Sequence, residues 1–310
     1  MNNLAPIVLF VYNRPWHTQQ TLEALAKNEL AKESILYIYA DGPKVNADEE
    51  TIKKIKQTRA CLKKEQWCKE VIIVGRENNL GLANSIITGV TEIVNKHGNI
   101  IVLEDDIVAS KGFLKFMNEA LSLYADNIEV GCVHAWNYDL DITGFAETTF
   151  FLKGADCWGW ATWKRGWDLF EPDGSSLLSE IISKNIEFEF NRRGTHDFIE
   201  MLKDQIKGIN DSWAIRWHAS LFLNDSYCLQ PARPIVKNMG LDNTGVHCIV
   251  TDMAQCPVGF IEINKIKVEE SNYFFKVFQP SSDNTKKDVT INTWQKSKKL
   301  LKILYRRFSI

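Results

Sequence analysis

The sequence predicts an α/β fold in which a mostly parallel sheet is flanked by helices. Three observations support this prediction. Short apolar runs alternate with segments of helical periodicity along the first 125 residues, each run ends at a turn or a polar cluster, and the intervals leave room for crossover helices. At 310 residues the chain can bury a large core. Its formal net charge of −2 argues against a general nucleic-acid-binding protein.

The first half, residues 1–125, contains four predicted strands and four predicted helices in alternation. An Asp-Gly-Pro sequence at 41–43 marks the turn after the second strand. The second helix is predicted to begin at Asn46, because asparagine is a common N-cap. The strands are predicted at 6–12, 34–40, 69–74 and 100–103, and the helices at 17–30, 46–64, 82–93 and 111–124.

The second half, residues 126–278, is richer in aromatic and polar residues. It contains a tryptophan-rich segment at 156–168 and a polar, glycine-containing loop at 238–247. This composition suits the half of an enzyme that shapes the binding of its acceptor substrate. Strands are predicted at 129–135 and 148–153, and helical segments at 176–207 and 213–223.

Residues 279–310 form a third part, a polar linker followed by a basic amphipathic segment. Such a segment can lie on an anionic membrane surface, and it can equally be a solvated or packed terminal helix. No apolar stretch reaches the ~18 residues that span a bilayer, and the N-terminus lacks the basic region of a signal peptide. The seven cysteines lack C-x-x-C spacing. We therefore expect a cytoplasmic protein, and the third part could allow peripheral contact at the inner face of the membrane.

The most informative motif is the acidic run Glu104, Asp105 and Asp106, which directly follows the fourth predicted strand. Three adjacent carboxylates repel one another, so such a run usually persists because a positive group lies beside it. A hard divalent cation that holds a substrate phosphate is the first candidate. The alternative is a solvated turn, or acids that favour the start of the next helix.

Other polar residues follow the other predicted strands. In an open α/β sheet the carboxyl ends of parallel strands share one rim, and ligands bind there. Neither a G-x-G-x-x-G motif after the first strand nor a P-loop motif is present, which disfavours a dehydrogenase and a P-loop ATPase. The rim therefore predicts another kind of nucleotide site. Its candidate residues, besides the acids, are Asn13, Arg14, Asp41, Arg76 and Asn79.

Four segments resemble the GT-A glycosyltransferases, most closely the bacterial family 2 type, with similarity to the N-acetylglucosaminyltransferase I type. They occur in the family's order and together span about half the chain. The segments are IVLFVYNR at 7–14, NNLGLA at 78–83, VLEDDI at 102–107 and GADCWGW at 154–160.

The resemblance implies a GT-A fold, a nucleotide-sugar donor (UDP-sugar favoured), Mn²⁺ or Mg²⁺, and a glycan or lipid-linked acceptor. By position, it implies that Asp106 binds the metal and that Glu104 and Asp105 contact the ribose and the donor sugar. It also implies that Asp41 accepts a hydrogen bond from the base; uracil and guanine both present N–H donors. Asn13 and Arg14 would border the nucleotide. Arg14 and Arg76 are candidates for pairing with phosphate, or either could instead balance the charge of the acidic run.

An inverting transfer needs a carboxylate that deprotonates the acceptor hydroxyl. The resemblance places this base in an acidic, tryptophan-flanked segment, which favours Asp211; Asp156 is the alternative, and Asp211 could instead cap a helix. Trp158 and Trp160 are candidates for an apolar platform under the acceptor sugar, unless they pack the core. His247 could contact the diphosphate, complete the metal's ligand set or be structural.

These expectations together describe a metal-dependent, inverting glycosyltransferase, transferring a hexosyl or N-acetylhexosaminyl group in the synthesis of a surface polysaccharide or another glycan. Two alternatives remain at this point. A sugar nucleotidyltransferase shares the nucleotide-binding architecture, although its usual glycine-rich segment is missing after the first strand. A catalytically silent glycan-binding module could use the tryptophan-rich segment alone.

Overall fold

A computed structural model describes residues 4–138, 142–242 and 257–278. The strands of this part are β1 (Ile7–Val11), β2 (Ile35–Ala40), β3 (Glu70–Gly75), β4 (Asn99–Glu104), β5 (Ile107–Ala109), β6 (Val130–His134), β7 (Thr149–Lys153), β8 (Trp160–Trp163), β9 (Tyr227–Pro231) and β10 (Val236–Asn238). The helices are α1 (Pro15–Ala26), α2 (Glu49–Cys61), α3 (Leu82–His97), α4 (Phe113–Leu123), α5 (Lys164–Trp167), α6 (Gly174–Ser183), α7 (Glu187–Phe190), α8 (Phe198–Ile206), α9 (Trp213–Leu223) and α10 (Asn272–Phe278), with a 3₁₀ turn at Ala31–Glu33.

The main sheet has eight strands in the order β3-β2-β1-β4-β8-β6-β9-β7. Strands β1, β2, β3, β4, β6 and β9 run in one direction, and β7 and β8 run against them. The predicted α/β fold with a mostly parallel sheet is confirmed. Residues 1–125 and 126–278 both contribute strands, so the two predicted halves share one sheet. The predicted third part, 279–310, lies outside the described residues.

Helices cover both faces of the sheet because the strand residues alternate between them. Leu9 and Leu103 point into a core shared with α1 and α4, whereas Phe10 and Val102 point into a core shared with α3 and α9. Nearly continuous apolar strands such as β1 are therefore buried on both sides. Each helix described here is too short or too polar to cross a bilayer.

Most predicted elements are present, with ends shifted by a few residues. Two details of the helices differ from the prediction. Asp48, rather than Asn46, caps α2, and its carboxylate accepts a hydrogen bond from the Thr51 N–H at 2.7 Å. The predicted helical segment 176–207 is divided into α6, α7 and α8. The breaks coincide with positive φ angles, which end a right-handed helix, at Asn185, Arg192, Arg193 and Gly194.

The tryptophan-rich segment contains a strand that the sequence did not reveal. Strand β8 lies antiparallel between β4 and β6, and its first residue, Trp160, pairs with Val102 on one side and His134 on the other. Four residues rich in large aromatic side chains give no clear period-2 pattern, so periodicity could not identify this strand. Because one strand separates β4 from β6, their carboxyl ends lie roughly 10 Å apart on the rim, two inter-strand spacings.

Candidate functional site

The acidic turn after β4 is buried around an arginine. Arg14 Nη2 pairs with Oδ1 of Asp105 and lies 3.0 Å from Oδ2 of Asp106. Asp106 is 0% exposed and Asp105 is 5% exposed, so this is an interior ion cluster rather than a solvated turn. The pairing of β1 with β4 brings Arg14, which lies three residues beyond β1, beside the acids. Thr21 of α1 fixes the turn by donating its hydroxyl to the Asp105 carbonyl at 2.8 Å.

One guanidinium faces two carboxylates in this cluster. Burial would lower the pKa of Arg14, but the attraction of Asp105 and Asp106 outweighs burial and raises it above its ordinary value. Burial raises the pKa of Asp105, as does the neighbouring Asp106, while Arg14 opposes both. Arg14 is therefore firmly charged, and the cluster keeps an excess of negative charge when both acids are ionised.

A loop that follows β10 covers the cluster. The Met239 N–H donates to the Asp106 carbonyl at 2.8 Å, and His17 Nε2 lies 3.0 Å from Oδ2 of Asp242. Gly240 lies against the acids: a Cβ at this position would overlap Oδ2 of Asp106 and lie 2.9 Å from its Cγ. The sequence indicated a polar loop at 238–247 but gave no sign that residues 239–242 cover Asp106.

We expect Gly240→Ala to lower the free energy of unfolding by about 1–3 kcal/mol, because the added methyl must displace a buried carboxylate. Gly75→Ala is the matched control, since a Cβ there meets nothing within 4 Å. Urea unfolding followed by tryptophan fluorescence measures both. Equal stability of the two variants would show that Asp106 moves aside easily.

The resemblance to GT-A enzymes implies that a divalent cation binds beside the acidic run 104–106. The oxygen donors of the three acids suit Mg²⁺ or Mn²⁺ chemically. Two of these acids, however, already hold Arg14, and no group of three or more His, Cys, Asp or Glu among the described residues could hold a metal ion. In this arrangement the described residues therefore do not fit a bound metal. His247, the other predicted ligand, lies outside them.

Asp41 anchors the loop that leads into α3. Its carboxylate accepts hydrogen bonds from the backbone N–H groups of Gly42, Leu80 and Gly81 at 3.0–3.2 Å and from the Asn79 side-chain amide at 3.0 Å. A carboxylate has about four lone-pair positions, so these four donors fill them. A nucleotide base could bind Asp41 only by replacing one of these donors. The predicted residues Asp41 and Asn79 are thus in direct contact.

Arg59 of α2 binds backbone carbonyl groups in the same region. Its Nη2 lies 3.3, 3.2 and 2.5 Å from the carbonyl oxygens of Ala40, Asp41 and Arg76, at the ends of β2 and β3. Nothing in the sequence distinguished Arg59 from the lysines of the same helix. The Arg76 guanidinium instead contacts α3, donating to the hydroxyls of Ser85 at 2.7 Å and Thr88 at 3.0 Å. The structure therefore does not bring Arg76 to the acids.

A second polar centre surrounds Asp156, at the carboxyl ends of β6 and β9. Arg192 Nη2 lies 2.8 Å from Oδ2 of Asp156, and Gln230 donates to the same oxygen at 3.1 Å. His134 Nδ1 lies 3.9 Å from that oxygen and 2.9 Å from Oε1 of Gln230. These residues line a pocket of about 760 Å³, counting its open mouth, which we call the Asp156 pocket. Its other walls include Trp136, Tyr138, Trp158, His196, Phe198 and Met201.

The electrostatics of the pocket make Asp156 a weak base. Burial would raise the pKa of its carboxyl, but Arg192 and His134 outweigh burial and hold the pKa well below its ordinary value. Burial lowers the pKa of His134 and of His196, which keeps both rings neutral near pH 7. Asp156 is therefore suited to accept hydrogen bonds rather than a proton.

The two tryptophans predicted as a sugar platform have different surroundings. Trp158 lines the Asp156 pocket, where its ring lies 4.7 Å from that of Trp136. Trp160 is 1% exposed and packs in the core against Trp213 and Trp217, with ring centroids 5.4 and 5.9 Å apart. The structure places Trp158, and not Trp160, where a ligand could contact it.

Asp211 lies on the loop before α9 and is well exposed, at 69% of its side chain. The structure shows that the alternative role as a helix cap is wrong for Asp211, since Ser212 caps α9 by accepting the Ile215 N–H at 3.2 Å. Asp211 lies 3.5 Å from Arg216 and does not line the Asp156 pocket. Asn13 is half-buried two residues beyond β1, beside Arg14 in the chain.

No family model and no characterised protein matches the sequence. Solved structures do show similarity. TarS from S. aureus matches with 14% identity over 48% of this chain and 24% of that chain, at a TM-score of 0.29. Mouse xyloside xylosyltransferase 1 matches with 13% identity over 43% and 53%, at 0.27, and the galactosyltransferase LgtC, solved with donor and acceptor sugar analogues, with 8% identity over 58% and 64%, at 0.34. The chain spans less than two thirds of the length of each of these three structures.

Proposed function

We propose that this protein transfers a glycosyl group from a nucleotide sugar, with UDP-sugar favoured, to a hydroxyl of a glycan or lipid-linked acceptor. One observation carries the proposal. Two buried polar centres, the Arg14–Asp105–Asp106 cluster and the Asp156 pocket, lie on one rim of the sheet, at strand ends roughly 10 Å apart. This is the rim where open α/β sheets bind ligands, and the separation suits two substrates that meet between the centres.

The donor would bind on the β1, β2 and β4 side of the rim. Asn13 and the anchored loop after β3 border that side, and Glu104 ends β4 there. The divalent cation implied by the resemblance stays a prediction. The implied hexosyl or N-acetylhexosaminyl group and a role in polysaccharide synthesis belong to the same proposal.

The acceptor would bind on the β6 and β9 side, in the Asp156 pocket. In an inverting displacement, the acceptor oxygen bonds to the anomeric carbon, the bond from that carbon to the diphosphate breaks, and the hydroxyl proton passes to a base. A base works best with a pKa near the working pH, which argues against Asp156 because Arg192 lowers its pKa. The resemblance to GT-A enzymes implies Asp211 as the base, so we propose that Asp211 takes the proton and that Asp156 positions the acceptor.

A panel of UDP-, GDP- and dTDP-sugars tests the donor, with thermal unfolding measured with and without Mn²⁺. A donor at 100 times its Kd should add about 2.7 kcal/mol to the stability of the folded protein. We expect a UDP-sugar to give the largest shift. If no nucleotide sugar raises Tm and none is hydrolysed, the proposal is wrong. Glycan binding without nucleotide binding would instead favour a glycan-binding module, and pyrophosphate release would favour a nucleotidyltransferase.

Asp211→Asn tests the base once transfer has been measured. We expect kcat to fall by roughly 10²–10⁴-fold with donor binding retained, because the variant keeps the shape of the side chain and loses the proton acceptor. Asp126→Asn is the matched control, as Asp126 is exposed and lies outside both centres. Equal activity of the two variants would remove Asp211 from the mechanism.

A further inference from the structure

The Asp156 pocket has a charge pattern that limits what it can bind. Its ionised lining residues are Asp156, Arg192 and Asp197. Arg192 is committed to Asp156 at 2.8 Å, and Asp197 is exposed beside the pocket, so the lining carries no excess positive charge. An anionic ligand would approach two carboxylates, and the lining as a whole carries an excess of negative charge. An uncharged ligand avoids this repulsion.

The same pocket contains hydrogen-bond donors that have no partner. Trp136 Nε1 and Arg192 Nε are buried and make no hydrogen bond among the described residues, and both residues line the pocket. Both atoms are closed off from solvent, and a small shift of either side chain toward a ligand oxygen would satisfy its donor. The Asp156 carboxylate offers the opposite capability, because it can accept a hydrogen bond. Hydroxyl groups both donate and accept, and they match this mixture.

The remaining lining is largely aromatic. The rings of Trp136 and Trp158 meet at 73°, and Tyr138 and Phe198 complete a wall with apolar faces. A pyranose presents C–H groups on one face and hydroxyls around its edge, so it can cover such a wall while its hydroxyls reach the polar groups.

We propose that the Asp156 pocket binds an uncharged pyranose, which is the acceptor unit in the proposed transfer. That the pyranose is the acceptor rests on the proposed function. That the ligand is an uncharged pyranose rests on the pocket alone. Asp156 and Arg192 bind the hydroxyls, Trp136 donates its Nε1–H to a sugar oxygen, and Trp158 packs against the ring. Sugars that carry a carboxylate are excluded.

Saturation-transfer NMR on the full chain tests this directly. The probes are the methyl glycosides of glucose, galactose, mannose, rhamnose, N-acetylglucosamine and N-acetylgalactosamine, with methyl glucuronide as the acidic comparison. At glycoside concentrations of ~1 mM and above, we expect saturation transfer to the ring protons of at least one neutral glycoside and none to the glucuronide. Absence of transfer to every neutral glycoside, or equal transfer to the glucuronide, would overturn the proposal.

A matched pair of tryptophan variants locates the binding. Trp136 and Trp163 are both 6% exposed, but Trp163 Nε1 donates to the Leu121 carbonyl at 3.1 Å and does not line the pocket. We expect Trp136→Phe to weaken glycoside binding about tenfold, the effect of one lost hydrogen bond, and Trp163→Phe to leave it unchanged. Equal effects of the two variants would place the glycoside elsewhere.

The pyranose assignment and the proposed transferase function can be tested separately. Nucleotide-sugar binding is measured by thermal unfolding, and glycoside binding by saturation transfer without nucleotide. Nucleotide binding without glycoside binding would overturn the pyranose assignment and leave the transferase proposal standing. Glycoside binding without any nucleotide binding would keep the pocket assignment and overturn the transferase.

Discussion

Arg14→Met is expected to lower the free energy of unfolding by about 3–5 kcal/mol, the usual cost of removing one partner from a buried ion pair. The physical reason is the burial of Asp105 and Asp106, at 5% and 0% exposure, which would lose their guanidinium without gaining water. The thioether of methionine fills similar space but donates no hydrogen bond. Urea unfolding followed by tryptophan fluorescence at pH 7 measures the loss.

Two further variants show whether charge causes this loss. Arg76→Met removes an arginine that contacts the hydroxyls of Ser85 and Thr88 rather than the acids, and we expect it to cost about 1 kcal/mol. Asp106→Asn in the Arg14→Met background should restore part of the stability, because it removes one uncompensated charge. A loss for Arg14→Met no larger than that for Arg76→Met would mean that the acids are solvated in solution.

Arg192→Met is expected to cost about 2–3 kcal/mol at pH 7, less than Arg14→Met, since it leaves Asp156 ionised without its partner while the Asp156 side chain is 30% exposed. The neighbouring Arg193→Met is the matched control. Both residues have positive φ, 47° and 55°, so backbone strain is common to the two variants. Arg193, however, makes a half-exposed ion pair with Glu270 at 3.3 Å, and its loss should cost about 1 kcal/mol.

The cost of Arg192→Met should also depend on pH. In the native protein the pKa of Asp156 is lowered, so its contribution to stability is present above the unfolded-state pKa of about 3.9 and is lost as pH falls toward the native value. In the variant, Asp156 can take up a proton more easily. The difference between native protein and variant should therefore shrink as pH falls below about 4. A difference that is constant from pH 7 to pH 3.5 would contradict the assigned pairing.

The sequence predicted those parts of the site that local order determines. Glu104, Asp105 and Asp106 directly follow an apolar strand, and Asp41 follows another, so their place on the rim follows from the alternation of strands and helices. The residue that pairs with Asp105 and Asp106 could not be predicted from local order. The sequence left open whether Arg14 or Arg76 balances the acids. Arg14 does so, pairing with Asp105 at a separation of 91 positions, because β1 and β4 are neighbouring strands.

The Asp156 pocket was harder to predict for the same reason. Its polar centre combines Asp156 with Arg192 and Gln230, which lie 36 and 74 positions away. Arg192 belongs to a turn between α7 and α8, inside a segment whose periodicity predicted continuous helix. Trp158 and Trp160 look equivalent in sequence. Strand β8 begins at Trp160, which packs in the core, whereas Trp158 precedes the strand and lines the pocket.

The short stretch from Ile235 to Met239 connects the two centres directly. Its Ile235 N–H donates to the Ala135 carbonyl, next to the pocket residue Trp136, and its Met239 N–H donates to the Asp106 carbonyl. Between these anchors, β10 is extended and paired with β5. Four extended residues measure about 13 Å, so the extended backbone fixes the distance between these two anchor points. Substrates bound at its two ends would meet at a separation that loop motion cannot easily change.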